Sequence, residues 1–396
     1  MLNIQLSNLS FYNVYKLTLC FLAFFFFFLK MNNYPFSYDF LITYKVHYII
    51  LGSYILLLFP IFMEYYIKKE VPTSLIYQWI LFYSMIAVFL LFYHGVNPDS
   101  LKEIGSRVFA TLFLISAFLH FSSINNIKLI QKILFLFVLF SAISIVVHFI
   151  FPGSFYSSIS SRPSGTFSNP NQAAICLVLG MILCLESLSP KWKEYFILFI
   201  GLGVFLTFSR AGLLCYLFSI IIFIYFNEIK FVNLIKFLII PVSVVFILII
   251  FNDYYSNYVL TLNSRFFERF FTLSDRSTDS LLSRLSPISY ALEDINSHFA
   301  FGKGLGSARL PPYDEIGPHN IYLKHMIEGG LLGIITFPIF LWISIKKSKL
   351  SFLMALPVVL GLWGFFSHNI LDEPHIIILI ALFFLLFAKT KKIQND

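Results

Sequence analysis

Apolar residues run through this chain in solid blocks of roughly 17–22, the length a helix needs to cross a hydrocarbon core about 30 Å thick. Read this way, the pattern predicts spans near 10–29, 46–63, 74–93, 104–121, 130–151, 171–188, 195–209, 211–226, 233–251, 320–345, 351–370 and 375–388. The pair 195–209 and 211–226 is short and leaves room for a re-entrant turn. Outer-membrane barrels are excluded, because their strands alternate in short segments instead of forming solid apolar runs. The prediction is an all-α, polytopic transmembrane helical bundle of about 12 helices, with one long loop, 252–319, between helices 9 and 10. At the N-terminus, Lys16 followed by Leu17 to Leu29 resembles a signal-peptide core. Lys30, Met31 and Asn32 follow where a small-residue cleavage site would stand, so the stretch is read as a first helix.

Composition agrees with the pattern. The chain is 58% hydrophobic and 12% charged, against about 25% charge in a soluble domain. Cys20, Cys176, Cys184 and Cys215 all lie inside apolar blocks and read as small core residues. The lysines set the orientation. Lys389, Lys391 and Lys392 put the C-terminus in the cytoplasm by the positive-inside rule. Threading backwards places Lys68/Lys69, Lys128/Lys132, Lys191/Lys193, Lys230/Lys236 and Lys346/Lys347/Lys349 in inner loops, and 252–319 outside.

Arginine is distributed differently. Arg107, Arg162, Arg210, Arg265, Arg269, Arg276, Arg284 and Arg309 all fall on the outer side of that topology. Orientation needs only positive charge, whereas arginine adds a planar fork of donors suited to phosphate or carboxylate. Arg107, Arg265, Arg269, Arg276 and Arg309 fit lipid-headgroup contact or ordinary surface charge as well as they fit a site. Within the outer segment, Phe266, Phe267, Phe270 and Phe271 interleave with Arg265, Glu268 and Arg269, a pattern for a helix lying on the membrane surface. Leu281 to Asn296 can form a second helix that carries Arg284, with Pro287 limiting its first turn. The run Gly302-Lys303-Gly304-Leu305-Gly306-Ser307 fits neither nucleotide fingerprint and is expected to be a flexible turn.

Three outer segments lead into inward-running helices. In the first, Asn169 suits the N-cap, Pro170 the first helical position, and Gln172, three on from the cap, completes a capping-box arrangement, with Arg162 upstream. In the second, Ser209 caps a helix that opens with Arg210. In the third, Pro318-His319-Asn320 opens the helix that continues Ile321, Tyr322, Leu323. A helix N-terminus presents unpaired N–H groups and about half a positive charge, so such ends bind anions. Three of them, with Arg162, Arg210 and Arg284, make a site suited to a pyrophosphate, although a single interfacial arginine equally well snorkels to water. The cationic surroundings would disfavour protonation of His319 and leave an imidazole able to accept a proton near pH 7. Further along, Lys324 and Glu328 read as an i,i+4 pair and Gly329-x-x-x-Gly333 as a close-packing pattern.

Together Arg162-x-x-Gly165-x-Phe167-x-Asn169-Pro170-Asn171, Ser209-Arg210-Ala211-Gly212, Arg284 leading to Gly302-x-Gly304-x-Gly306, and His319-Asn320 with Gly329/Gly330 resemble the pattern of the O-antigen ligase and polymerase family. The resemblance covers about 151–370, including the outer loop 252–319; residues 1–150 read only as N-terminal transmembrane helices, and 371–396 as a last helix and cytoplasmic tail. It implies a bacterial inner-membrane enzyme working on the periplasmic side. The reaction would be an inverting glycosyl transfer from undecaprenyl-diphosphate-linked oligosaccharide to an acceptor hydroxyl, with no cofactor and no metal. Arg210 and Arg284 would then hold the pyrophosphate, and His319 would orient or deprotonate the acceptor. Arg162, Asn169, Asn171, Asn320 and Tyr322 would bind substrate. No Asp-x-Asp pair is present to hold a divalent ion. The implied partners are the lipid-linked oligosaccharide, membrane lipid and a chain-length regulator protein, and not nucleic acid. Polymerisation of repeat units is the expected activity, with ligation of glycan to lipid A-core as the alternative. A lipid-linked-oligosaccharide flippase is the competing class; it would line its spans with charge, whereas here charge gathers at the outer ends.

Overall fold

The capping residues named above set the helices in register. In the computed structural model, residues 11–30, 46–68, 75–159, 162–230, 288–310, 318–348 and 350–395 are described. They form α1 (Phe11–Ala23), α2 (Val46–Leu57), α3 (Phe59–Lys68), α4 (Leu75–His94), α5 (Pro98–Ser122), α6 (Ile127–Ile150), α7 (Pro170–Cys184), α8 (Pro190–Leu206) and α9 (Arg210–Tyr225). A helical stretch at 288–297 follows, then α10 (Ile321–Ile334), α11 (Thr336–Ser348), α12 (Ala355–Trp363) and α13 (Pro374–Asn395). No strand is present among the described residues. By length and composition five helices can cross a membrane, or seven if two bent pairs each count as one span, and three shorter apolar helices accompany them. The fold is therefore a polytopic helical bundle. The predicted span 233–251, the surface helix at 264–272 and Arg284 lie outside the described residues.

Two predicted spans are broken. The block 46–63 bends by 41° between α2 and α3, and the block 320–345 bends by 65° between α10 and α11. Pro60 and Pro338 stand just beyond the two breaks, and each lacks the N–H that would continue the ladder. The second block is interrupted again at Gly330, with φ 55° and ψ −139°, a conformation that glycine alone adopts without a Cβ penalty. The Phe run 24–28 continues α1 as a π-helical turn. That turn packs Phe24 and Phe27 against Phe121, Phe137, Tyr54 and Phe113.

The centre of the bundle is α7. From Ala173 to Leu185 every residue is buried, as expected of a helix apolar all round. It contacts α6, α8, α9, α12 and α13. The approach of α9 is set by Gly212, where a Cβ would collide with Ala174. The register of α9 on α12 is antiparallel: Cys215 Sγ meets the Val359 carbonyl at 3.9 Å, and Phe223 packs edge-on to Phe352 at 5.9 Å. Continued outward, that register brings Arg210 level with Gly364, whose carbonyl accepts from Ile321 N at 2.9 Å. The N-termini of α7, α9 and α10 thus share one end of the bundle. All four cysteines are free and buried, as their apolar settings predicted.

Orientation can be tested on two exposed positions. In a cysteine-free background, a cysteine at Ser297 is expected to react with an impermeant maleimide on intact spheroplasts. One at Leu350, 87% exposed, should react only after permeabilisation. Labelling at 350 in intact spheroplasts would reverse the topology.

Candidate functional site

At the first mouth, Asn169 caps α7 as the sequence suggests, its side chain accepting from Asn171 N at 2.8 Å. The expected capping box does not form. Gln172 instead donates to Glu373 Oε1 at 2.9 Å and accepts from Lys30 Nζ at 2.7 Å. Those partners carry charge, and charge-assisted hydrogen bonds outcompete a neutral contact to the backbone. Arg162 is buried; its Nε donates to the Thr207 carbonyl at 3.0 Å and its Nη2 to Asn171 Oδ1 at 2.9 Å. Asn171 Oδ1 also accepts from Ser209 Oγ at 2.9 Å. Ser209 in turn caps α9, accepting from Gly212 N at 3.2 Å. One amide oxygen therefore ties the first mouth to the second. Arg210, the first residue of α9, is exposed. The residue before the cap, Phe208, has φ 52°, an unusual value for a bulky side chain and a mark of a tightly determined turn.

The third mouth repeats the device. Asn320 caps α10, accepting from Tyr322 N at 2.9 Å and Leu323 N at 3.2 Å. His319 before it has φ 43° and is exposed. Its ring stands edge-on to that of His368 at 5.6 Å. His368 belongs to the non-helical connection 364–373, since α12 ends at Trp363 and not at 370. Burial, with Lys324, His319 and Arg309 nearby, pushes the His368 pKa down to about 3, so this imidazole is neutral near pH 7. Tyr322 turns inward: its hydroxyl donates to the Gly361 carbonyl at 2.9 Å, and its ring packs on Phe337 and Phe365.

Beneath this mouth lies a charge network that the sequence reading missed. Glu103 on α5, fully buried, accepts from Arg107 Nε at 3.2 Å, Arg309 Nε at 3.0 Å and Lys324 Nζ at 2.9 Å. Arg107 reaches across to Glu328 at 2.5 Å and stacks over Tyr83 at 4.9 Å. Lys324 also pairs with Asp372 at 3.2 Å. The expected i,i+4 pair of Lys324 with Glu328 is thus replaced by pairs with α5 and with the 364–373 connection. Arg107 and Arg309 are members of this network, not lipid-headgroup contacts. A signal was available in the spacing Glu103-x-x-x-Arg107 at the head of an apolar block, because opposite charges four apart on a helix face each other.

The glycine run is not a flexible turn. Gly302 and Gly304 to Ala308 are buried. Lys303 N and Gly304 N donate to the carbonyls of Ile327 and Glu328 at 2.8 and 3.0 Å, and Gly306 N donates to Glu328 Oε1 at 3.2 Å. A Cβ at Gly302, where φ is +66°, would stand 2.5 Å from Gly329 N. The glycines therefore serve close docking of this loop onto α10.

The fold and these clustered charges define a multi-pass membrane protein with a polar mouth at one end of its bundle. Residues 195–338 match the family model described as O-antigen ligase, a family of membrane glycosyltransferase-like enzymes. The matched stretch includes Arg210, Arg284, the glycine loop and His319; Arg162, Asn169, Asn171, Glu103 and Arg107 lie outside it. Compared with curated proteins, the chain has no match.

The link between the mouths predicts unequal costs. Asn171→Ala removes the acceptor shared by Arg162 and Ser209, leaving a buried guanidinium short of a partner, at about 1–3 kcal/mol. Asn169→Ala removes only a cap, at about 1 kcal/mol. Thermal unfolding in detergent should rank Asn171→Ala below Asn169→Ala; the reverse order would show that the Asn171 link carries little.

Proposed function

We propose that the mouth performs an inverting, metal-independent glycosyl transfer on the extracytoplasmic face, joining undecaprenyl-diphosphate-linked repeat units of a surface polysaccharide. The observation that carries this reading is the meeting of three capped helix N-termini and the exposed Arg210 with the His319–His368 pair at one end of the bundle. In the proposed step the acceptor hydroxyl attacks the anomeric carbon and its proton passes to His319. The bond from that carbon to the diphosphate breaks with inversion, and the diphosphate leaves with the bonding electrons. Arg210 and Arg284, with the helix ends, stabilise the charge that develops on it. Arg162 and Asn171 support the reading indirectly, by fixing the turn from which Arg210 projects. Ligation of finished glycan to a lipid A-core is the second reading, favoured by the description of the matched family model.

Two-point contact to a diphosphate separates arginine from lysine. Arg210→Lys and Arg284→Lys are expected to lose most transfer at normal protein levels, while a chelator leaves the wild type unaffected. Full activity in both lysine variants would show that net charge alone suffices.

A positioned general base contributes about 10²–10⁴-fold. His319→Ala and His319→Gln should therefore insert normally and bind the lipid-linked donor, yet be nearly inactive. In cells that make long surface glycan, loss of a polymerase leaves a core capped by one repeat unit. Loss of a ligase leaves a bare core, with polymer accumulating on the carrier lipid. The single-unit pattern is expected. A bare core would replace polymerase by ligase and spare the site, whereas a normal ladder would remove His319 from the mechanism.

A further inference from the structure

We infer that Glu103 is a positioning residue for the transfer site: it binds α5 to α10 and to the loop 302–309, and so sets the place of His319 opposite His368. The inference rests on the reading of His319 given above. Three cations converge on this one carboxylate from three segments: Arg107 from α5, Lys324 from α10 and Arg309 from the loop. Lys324 lies on the first turn of α10, which Asn320 caps directly after His319. Through its second pair with Asp372 it also holds the connection that carries His368. Glu103 is therefore two ion pairs away from each imidazole-bearing segment at most, although its own side chain is fully buried and touches neither ring.

The charges balance. Glu103, Glu328 and Asp372 face Arg107, Lys324 and Arg309, and of these only Arg309 is substantially exposed, at 47%. Buried ion pairs add little to net stability compared with apolar replacements, whereas removing one partner is costly. Stability therefore gives weak grounds for keeping six charges here. Geometry gives a stronger one, because each carboxylate bond fixes a direction as well as a distance. Misplacing a reacting group by about 1 Å can cost 10²-fold in rate.

The test must separate positioning from simple support of the fold. Glu103→Gln alone leaves three cations against two acids, and its failure to accumulate would be read through two further variants. Glu103→Gln/Lys324→Met removes one charge of each sign and leaves Arg107 and Arg309 against Glu328 and Asp372. We expect this full-length double variant, purified from membranes, to accumulate as the wild type does. Its kcat with the lipid-diphosphate-linked donor should fall about 10²-fold, with KM for the donor little changed. Glu103→Asp keeps the charge but draws the carboxylate back by one methylene, so it cannot span all three cations. It should accumulate normally and lose roughly tenfold in kcat.

A wild-type kcat in Glu103→Asp overturns the inference, whatever the double variant does. So does a double variant that recovers both accumulation and kcat, because the network would then be a support only. If His319→Ala is fully active, the site reading fails and takes this inference with it. A dead His319→Ala beside a normal Glu103→Asp sinks the inference alone.

Discussion

A charge buried inside a protein has to arrive with its counter-charges, because water cannot solvate it there. In this protein that constraint is met by residues from distant parts of the chain. Glu103 and Arg309 are 206 positions apart, and Arg107 and Glu328 are 221 apart. Each pair can form only when α5, α10 and the loop 302–309 are already stacked. The glycines of that loop then allow its backbone to lie against α10 and give Glu328 a backbone donor in addition to Arg107. The mouth above inherits its shape from this layer.

Much of the bundle was legible in the sequence because the signals are local. Apolar block length gave the spans, and Asn169, Ser209 and Asn320 were readable as caps because a cap needs only its own next turn. Two of the failures are long-range. Gln172 had the right spacing for a capping box but faces Glu373, 201 positions away, and Lys30, 142 positions away. Lys324 had the right spacing for Glu328, yet α5 and the 364–373 connection supply nearer acids. Pro60 and Pro338 were visible in the sequence. Block length carries no information on bends, so 46–63 and 320–345 read as single spans where the chain breaks.

The arginine bias was informative but mixed two roles. Arg107 and Arg162 are buried and bonded to protein acceptors, so they shape the mouth from behind. Arg210 projects from the first turn of its helix and is exposed. A sequence shows both kinds as arginines on the same side of the predicted topology. Only the packing of α7 against α9, and of α5 against its neighbours, separates those that build the site from those that face into it.

The position of Glu103 and Arg107 outside the stretch 195–338 has a consequence for how this architecture can be recombined. The stretch that resembles O-antigen ligases carries Arg309 and Lys324, but the acid they surround comes from an earlier helix, as does Arg107, the partner of Glu328. A chimaera that grafts the stretch onto foreign N-terminal helices brings cations without their carboxylate. Inheritance would have to keep α5 and the later segments in step, so the apparently featureless first third of the chain is tied to the rest by charge as well as by packing.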